Sequence, residues 1–112
     1  MFPTLKPPVA PNRSWLRSMA SSFPPIMERR RSARKALDAI TAFDPGLLVL
    51  SFGADTFAED PISHFELLHS DYAVLASDVA SRGWPTVIAM EGGYAAGALG
   101  ENVASFLRGF DQ

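Results

Sequence analysis

The stretch that decides the fold is Leu47-Leu-Val-Leu-Ser-Phe-Gly-Ala-Asp-Thr-Phe-Ala-Glu-Asp-Pro61, directly after the turn sequence Asp44-Pro45-Gly46. Its first four residues are large and aliphatic. A short apolar run between turn signals is typical of a strand buried on both faces, as in parallel sheets. The run ends at Gly53, and the loop that follows contains two carboxylates, Asp55 and Asp60. Ligands of open α/β sheets bind at the carboxyl ends of the strands, so this acidic loop is a candidate site for a cation.

A second stretch repeats this arrangement. Thr86-Val-Ile-Ala-Met90 is another short apolar run, and Glu91-Gly92-Gly93-Tyr94 follows it. The segment between the two runs has the length of a helix, so the pair predicts a β-α-β unit with parallel strands and a right-handed crossover. Both loops should then open at the same edge of the sheet. We therefore expect Asp55 and Tyr94 to lie close together.

Length and composition limit the class of protein. The chain has 112 residues, 47% of them apolar and 20% charged, which is typical of one small globular domain. It has no cysteine, so a disulfide framework and a thiolate metal site are both excluded. No apolar run approaches the roughly 20 residues of a membrane span, and prolines interrupt the N-terminus where a signal peptide would need an apolar core. We expect a soluble, cytoplasmic protein that does not bind membranes.

Charge divides the chain into two regions. Residues 1–35 carry a net charge of +7 and residues 36–112 carry −9, which together give −2. Six of the nine prolines lie in residues 1–27, so we interpret 1–27 as a Pro-rich basic arm and 28–112 as the folded segment. The basic arm lacks the aromatic residues that accompany charge in many nucleic-acid-binding segments. We therefore expect no nucleic acid, and charges that pair within or between chains.

The periodicity predicts the element order α-β-α-β-α. A first helix should span Glu28 to Phe43, with one apolar stripe. A second should begin after an N-cap at Ser70 and end at Gly83, and a third should run from about Ala98 to Gly109. The residues expected on the buried helix faces are Ala33, Ala36, Leu37 and Ile40, then Tyr72, Leu75, Ala76, Val79 and Ala80, and finally Leu99, Val103, Phe106, Leu107 and Phe110.

The two motifs together resemble the histone deacetylase superfamily, most closely its bacterial acetylpolyamine amidohydrolases and class II-like deacetylases. The resemblance rests on Asp44–Pro61 and on Glu91–Tyr94, and it covers roughly residues 36–112. It implies the C-terminal piece of an arginase-deacetylase-like, three-layer α/β/α fold. Within this chain, that piece is a partial parallel sheet, a β-α-β unit with flanking helices.

The resemblance also implies roles for individual residues. Asp55 matches the second aspartate of the family's zinc site, and Tyr94 matches the tyrosine that donates a hydrogen bond to the substrate's amide oxygen. Gly92 and Gly93 match the loop beside the substrate. The implied reaction is hydrolysis of an acetyl-amide bond, in a small acetylated amine or acetyl-lysine, where the metal polarises the carbonyl and a histidine base assists water.

Several family features have no match in this sequence. The Asp-x-His ligand pair and the His-His pair of the family lie upstream, and nothing upstream of Asp55 resembles them. The only two histidines, His64 and His69, follow Asp55, and we interpret both as surface or loop residues. A catalytic zinc needs three protein ligands. We therefore expect the chain alone to be inactive and to hold no zinc stably. Asp60, before Pro61, is more typical of a turn-former than of a ligand.

Two other functions are compatible with the same residues. The first is a non-enzymatic assembly protein, because two apolar strands without neighbours leave edges and faces that association would cover. For this reason we expect a homo-oligomer, most simply a dimer. The second is a phosphate or nucleotide binder that uses the glycine-rich stretch from Glu91 to Gly100 at a helix N-terminus. That stretch matches neither a Walker A loop nor G-x-G-x-x-G, which argues against it.

Overall fold

The computed structural model describes residues 25–112. Helix α1 spans Pro25–Phe43, strand β1 Leu48–Phe52, helix α2 His69–Ala80, strand β2 Thr86–Met90 and helix α3 Ala96–Phe110. A short 3-10 helix, Ala54–Thr56, follows β1 directly. The predicted element order is therefore correct. Residues 1–24, which hold most of the predicted basic arm, lie outside the described residues.

The two strands form a parallel pair, as the β-α-β interpretation predicts. Leu48 lies opposite Thr86 and Phe52 opposite Met90, with β1 and β2 in continuous register between them. The backbone N–H of Leu48 also donates to the carbonyl of Pro85, over 2.8 Å, which ties the start of β1 to the start of β2. Both strands therefore end together, and their loops leave the sheet at the same edge.

The hydrophobic core lies on one face of this sheet. Its centre is Phe52, whose ring stacks on Phe106 with centroids 4.2 Å apart and meets Tyr72 edge-on at 5.6 Å. Leu50 and Ile88 pack against the same cluster. Neither strand is buried on both faces within the described residues, since Val49 and Val87 on the other face are 65% and 51% exposed. This is the exposed apolar face that is expected of two strands without neighbours. The three helices all pack on the core side.

Close packing at one glycine and two ion pairs hold the helices together. At Gly109, an added Cβ atom would overlap the carbonyl oxygen of Ala73, so α2 and α3 pack backbone to backbone at this point. Helix α1 is attached to α2 by a two-pronged ion pair in which Arg30 Nε and Nη2 donate to the carboxylate of Asp78 over 2.6 and 2.9 Å. Arg82 makes a second link to Asp38 over 2.8 Å.

Helices α1 and α2 begin at other residues than predicted. Helix α1 begins at Pro25 and not at Glu28, since proline is well tolerated in a first turn. Helix α2 begins at His69, and the predicted N-cap Ser70 lies inside it. The cap is made instead by Asp71, whose carboxylate accepts the N–H of Leu68 over 2.8 Å. At the other end, Gly83 adopts the predicted left-handed conformation, with φ +76°.

Two residues expected in the core are exposed. Leu107 is 49% exposed, and Ala36 also faces solvent. On α3, the buried positions between the predicted apolar ones are taken by Asn102, Ser105 and Gly109. These small or polar residues allow α3 to approach α2 closely, which an apolar-stripe pattern does not indicate.

Candidate active site

The acidic loop after β1 is built around the carboxylate of Asp55. Asp55 lies in the 3-10 helix and is partly exposed. A Cβ atom at Gly53 would lie 2.7 Å from its Oδ1, and one at Gly92 would lie 3.0 Å from its Oδ2. Two glycines, one from each loop, therefore form a close-fitting cradle for this carboxylate. Any larger residue at either position would displace it.

Tyr72 holds this loop in place by hydrogen bonds to Thr56 and Ala54. It is only 2% exposed, and its hydroxyl shares a hydrogen bond of 2.9 Å with Thr56 Oγ1 and donates to the carbonyl of Ala54 over 3.4 Å. Burial raises the pKa of the Tyr72 phenol, and the negative charge of Asp55 adds to this rise. The phenol therefore stays neutral and fixes the 3-10 helix that carries Asp55.

The Gly-Gly-Tyr loop is joined to the Asp55 loop by backbone hydrogen bonds. The N–H of Ala54 donates to the carbonyl of Gly92, and the N–H of Glu91 donates to the carbonyl of Phe52, each over 2.8 Å. Gly93 has a φ of +145°, and a Cβ atom there would lie 2.8 Å from Leu99 and 3.2 Å from the Cβ of Ala54. Both the conformation and the packing at Gly93 therefore require glycine.

Asp60 is the third link between the loops. It is 6% exposed, and its Oδ1 accepts the N–H groups of Ile62 and Ser63, which is the turn-forming role predicted from Asp-Pro. Its Oδ2 also accepts the N–H of Tyr94 over 2.8 Å, a contact across 34 residues that the sequence did not indicate. Burial acts to raise the pKa of Asp60, but hydrogen bonds from the N–H groups of Tyr94, Ile62, Ser63 and Ala95 outweigh it and lower the pKa overall. Asp60 is thus a buried carboxylate that stays charged.

The predicted site residues therefore share one edge of the sheet. Asp55 and Gly92 both line a cavity of about 430 Å³, and its other lining residues include the aromatic Phe65, Tyr72 and Phe106. Tyr94 follows two residues after Gly92, and its side chain is 55% exposed. The two loops thus open together as expected.

His69 is not the surface or loop residue that the sequence suggested. It is the first residue of α2, where its Nδ1 lies 2.5 Å from Asn102 Oδ1 on α3 and its ring lies over that of Phe57 with centroids 4.7 Å apart. Asn102 is 1% exposed, so this contact is part of the buried contact surface between α2 and α3, which we call the seam. His69 therefore connects helices. His64 lies in the exposed loop before α2.

The donor groups of the site fall short of what zinc needs. Zinc in a catalytic site takes three protein ligands from His, Cys, Asp or Glu. Within residues 25–112, no three such side chains are grouped so that they could hold a metal ion. The carboxylate of Asp55 is held between Gly53 and Gly92 and is partly exposed, so it could provide one ligand to a metal ion. A complete zinc site therefore needs donors beyond those that the described residues group together.

Comparison with known proteins identifies the family. Residues 26–110 match the model of the histone deacetylase domain. The chain belongs to the histone deacetylase family. The match confirms the resemblance seen in the two motifs. It also begins near the start of α1, upstream of the residue 36 at which the motif resemblance began.

Relatives within the family are acetylpolyamine amidohydrolases. The chain is 43% identical over 74 residues to the enzyme of that name from Mycoplana ramosa, covering 66% of this chain and 22% of the relative. It is 44% identical over 72 residues to acetylpolyamine amidohydrolase 1 of Pseudomonas aeruginosa, covering 64% and 21%. This member of the deacetylase family therefore spans about a fifth of the length of the curated relatives that it matches.

A solved structure confirms the fold class. The crystal structure of acetylpolyamine aminohydrolase from Burkholderia pseudomallei superposes with a TM-score of 0.67 at 36% identity, over 69% of this chain and 22% of that one. The two-stranded parallel sheet and its helices are thus a part of the arginase-deacetylase fold. No helix among residues 25–112 is long and apolar enough to cross a bilayer.

Proposed function

We propose that this chain supplies one wall of a zinc-dependent deacetylase site that hydrolyses small acetylated amines of the acetylpolyamine type. The observation that carries the proposal is the Asp55 cradle. Its carboxylate is held between Gly53 and Gly92, at the edge of the sheet where the Gly-Gly-Tyr loop also opens. The names of the relatives, acetylpolyamine amidohydrolases, support the choice of substrate class over acetyl-lysine.

In this proposal each residue has a separate task. Asp55 contributes one ligand to the zinc, which when bound would polarise the substrate's carbonyl group. Tyr94 donates its phenolic hydrogen to the carbonyl oxygen as negative charge develops there. Gly92 and Gly93 let the backbone approach the substrate closely, since neither carries a Cβ atom. Asp60 positions Tyr94 by holding its backbone N–H.

The remaining parts of the reaction come from elsewhere. The other two zinc ligands and the histidine base have no counterpart among the motifs of this sequence. We therefore propose that the chain alone neither turns over acetylated amines nor holds zinc stably. Its cytoplasmic location also stays a prediction, which fractionation of the source cells would test.

A chimera tests the proposed roles without requiring the lone chain to be active. Residues 26–110 replace the matching segment of acetylpolyamine amidohydrolase 1 from Pseudomonas aeruginosa. We expect the chimera to hydrolyse acetylpolyamines, and expect Tyr94→Phe to lower kcat by about 100-fold or more, as for a lost oxyanion donor. Leu107→Ala, at a half-exposed residue in the last turn of α3, is the control. A folded chimera with full activity after Tyr94→Phe would contradict the role proposed for Tyr94 as a hydrogen-bond donor to the substrate.

An oligomeric assembly function is the second candidate. The observation that favours it is the exposed apolar sheet face, where Leu47, Val49 and Val87 are 55%, 65% and 51% exposed. We propose that the isolated chain self-associates through this face, as a dimer. Light scattering from about 1 to about 100 μM should show the mass rising toward twice that of one chain. A well-folded monomer at about 100 μM would exclude the dimer.

A further inference from the structure

Four basic residues near the start of α1 share one side of the helix. A shallow concavity of about 330 Å³ on that side is lined by Met27, Arg30, Arg31, Arg34, Lys35 and Asp38. Its cations recur at intervals of three and four residues, and side chains at such intervals are neighbours about 5–6 Å apart on a helix surface. We call Arg30, Arg31, Arg34 and Lys35 the basic stripe.

The sequence of α1 itself directs this stripe toward solvent. Leu37 is 5% exposed and marks the buried side of the helix, whereas Arg31, Arg34 and Lys35 are all exposed. Charged residues that recur at helical spacing opposite an apolar position are typical of a helix face in contact with water. The stripe is therefore a surface of the helix that other molecules can reach.

Most of the positive charge on the basic stripe is not neutralised. Arg30 pairs with Asp78 over 2.6 Å, and the carboxylate of Asp38 is held by Arg82 over 2.8 Å. Among residues 25–112, the other three members of the stripe have no carboxylate oxygen within 4.0 Å. The pairing of charges within the chain that the sequence predicted is thus found for Arg30 and is absent for the rest of the stripe.

An excess of closely spaced cations favours binding of an anion. Like charges on one helix face destabilise it, and an anion that lies between them offsets this repulsion. Three of the four members are arginines, whose planar groups donate two parallel hydrogen bonds to a phosphate. Several phosphate groups in one molecule therefore suit the stripe better than a single charge does.

The rest of the chain limits the size of this anion. Residues 36–112 carry a net charge of −9, so a long polyanion would be repelled wherever it extended beyond the stripe. A compact anion contacts the stripe alone. We propose that the basic stripe binds a small molecule with two or more linked phosphate groups, either a free oligophosphate or the phosphate chain of a nucleotide.

This site is separate from the proposed deacetylase site. None of the four members of the stripe lines the cavity that Asp55 and Gly92 share. Binding of the phosphate compound therefore needs neither zinc nor hydrolysis, and it can be measured on the full chain by itself.

Isothermal titration calorimetry with inorganic tripolyphosphate tests the proposal. We expect a 1:1 complex that weakens several-fold when NaCl rises from about 20 to about 200 mM, because salt screens exposed charges. Arg34→Gln should weaken binding by about fivefold or more, and Arg31→Gln with Arg34→Gln by more again, since each removes charged donors to phosphate. Glutamine and arginine have similar helix propensities, so α1 should stay folded, which circular dichroism checks.

The matched control is Arg108→Gln, which removes one exposed positive charge in the last turn of α3. It should leave the affinity for tripolyphosphate unchanged within about twofold, because only a distant charge is lost. ATP distinguishes the two sources: affinity equal to that of tripolyphosphate indicates a free oligophosphate, and tighter binding indicates a nucleotide. The proposal is overturned if neither compound binds, if Arg108→Gln weakens binding as much as Arg34→Gln, or if a long single-stranded RNA binds the stripe more tightly than both.

Discussion

Two tyrosines of this chain have opposite environments, and this separates their effects on stability and on activity. The Tyr72 hydroxyl is buried and bonded to Thr56, whereas the Tyr94 side chain is 55% exposed. We expect Tyr72→Phe to lower the free energy of unfolding by about 1–2 kcal/mol, because Thr56 and Ala54 lose a buried partner. Tyr94→Phe should change it by less than about 0.5 kcal/mol. Urea unfolding of the two variants checks this, and equal losses would contradict the assignment of Tyr72.

The lowered pKa of Asp60 predicts how the stability of the fold depends on pH. Its folded-state pKa is lowered by backbone N–H donors, so its charged form contributes stability above the unfolded pKa of about 3.9. That contribution is lost as the pH falls through the folded value. The Arg30 hydrogen bond lowers the pKa of Asp78 as well, so both groups act in the same direction. Stability should therefore be constant from about pH 7 to about pH 5 and fall below about pH 4.

Asp60→Asn isolates the part due to Asp60. We expect the variant to be less stable than the parent at about pH 7, since an amide accepts hydrogen bonds more weakly than a carboxylate. The difference should shrink as the pH falls below about 4, because the parent then loses its own charge. Chemical unfolding near neutral pH and near pH 3 measures both differences. A gap that stays the same at the two pH values would show that the Asp60 charge does not stabilise the joined loops.

At the scale of elements, the seam between α2 and α3 depends on Gly109. A methyl group there would overlap the backbone of Ala73, so we expect Gly109→Ala to lower the free energy of unfolding by about 1–3 kcal/mol or more. The matched control is Gly100→Ala on the same helix, where nothing lies within 4 Å of an added Cβ atom. There alanine should stabilise the helix by about 0.5–1 kcal/mol. Thermal unfolding that moves in the same direction for both variants would contradict this packing.

The same elements show what the sequence could and could not predict. Short apolar runs between turn residues located both strands, and β2 has the predicted bounds Thr86–Met90. The seam of α2 and α3 was missed because it is made by Asn102, Ser105 and Gly109, which carry no apolar signal. Similarly, the hydrogen bond from Tyr94 N–H to Asp60 joins residues 34 apart, and no local pattern indicates such a contact.

At the scale of the whole molecule, membership of the family explains why both strands carry apolar residues on both faces. The two sequence motifs indicate the deacetylase family by themselves, and the match to residues 26–110 confirms it. One face of the sheet is exposed, as expected of two apolar strands without neighbours. The apolar pattern of Val49 and Val87 suits a sheet covered on two sides, and the described residues cover one. The pattern therefore reflects the larger domain to which this segment is related.

We propose that Asp55 is one ligand of a zinc site completed by another part of a deacetylase domain. Zinc content, measured by elemental analysis after exhaustive dialysis, tests it most directly. The chimera with residues 26–110 should retain about one zinc per chain, and Asp55→Ala should remove most of it, while the chain alone should retain almost none. Undiminished zinc in the Asp55→Ala chimera, or a tightly held zinc on the chain alone, would contradict the claim.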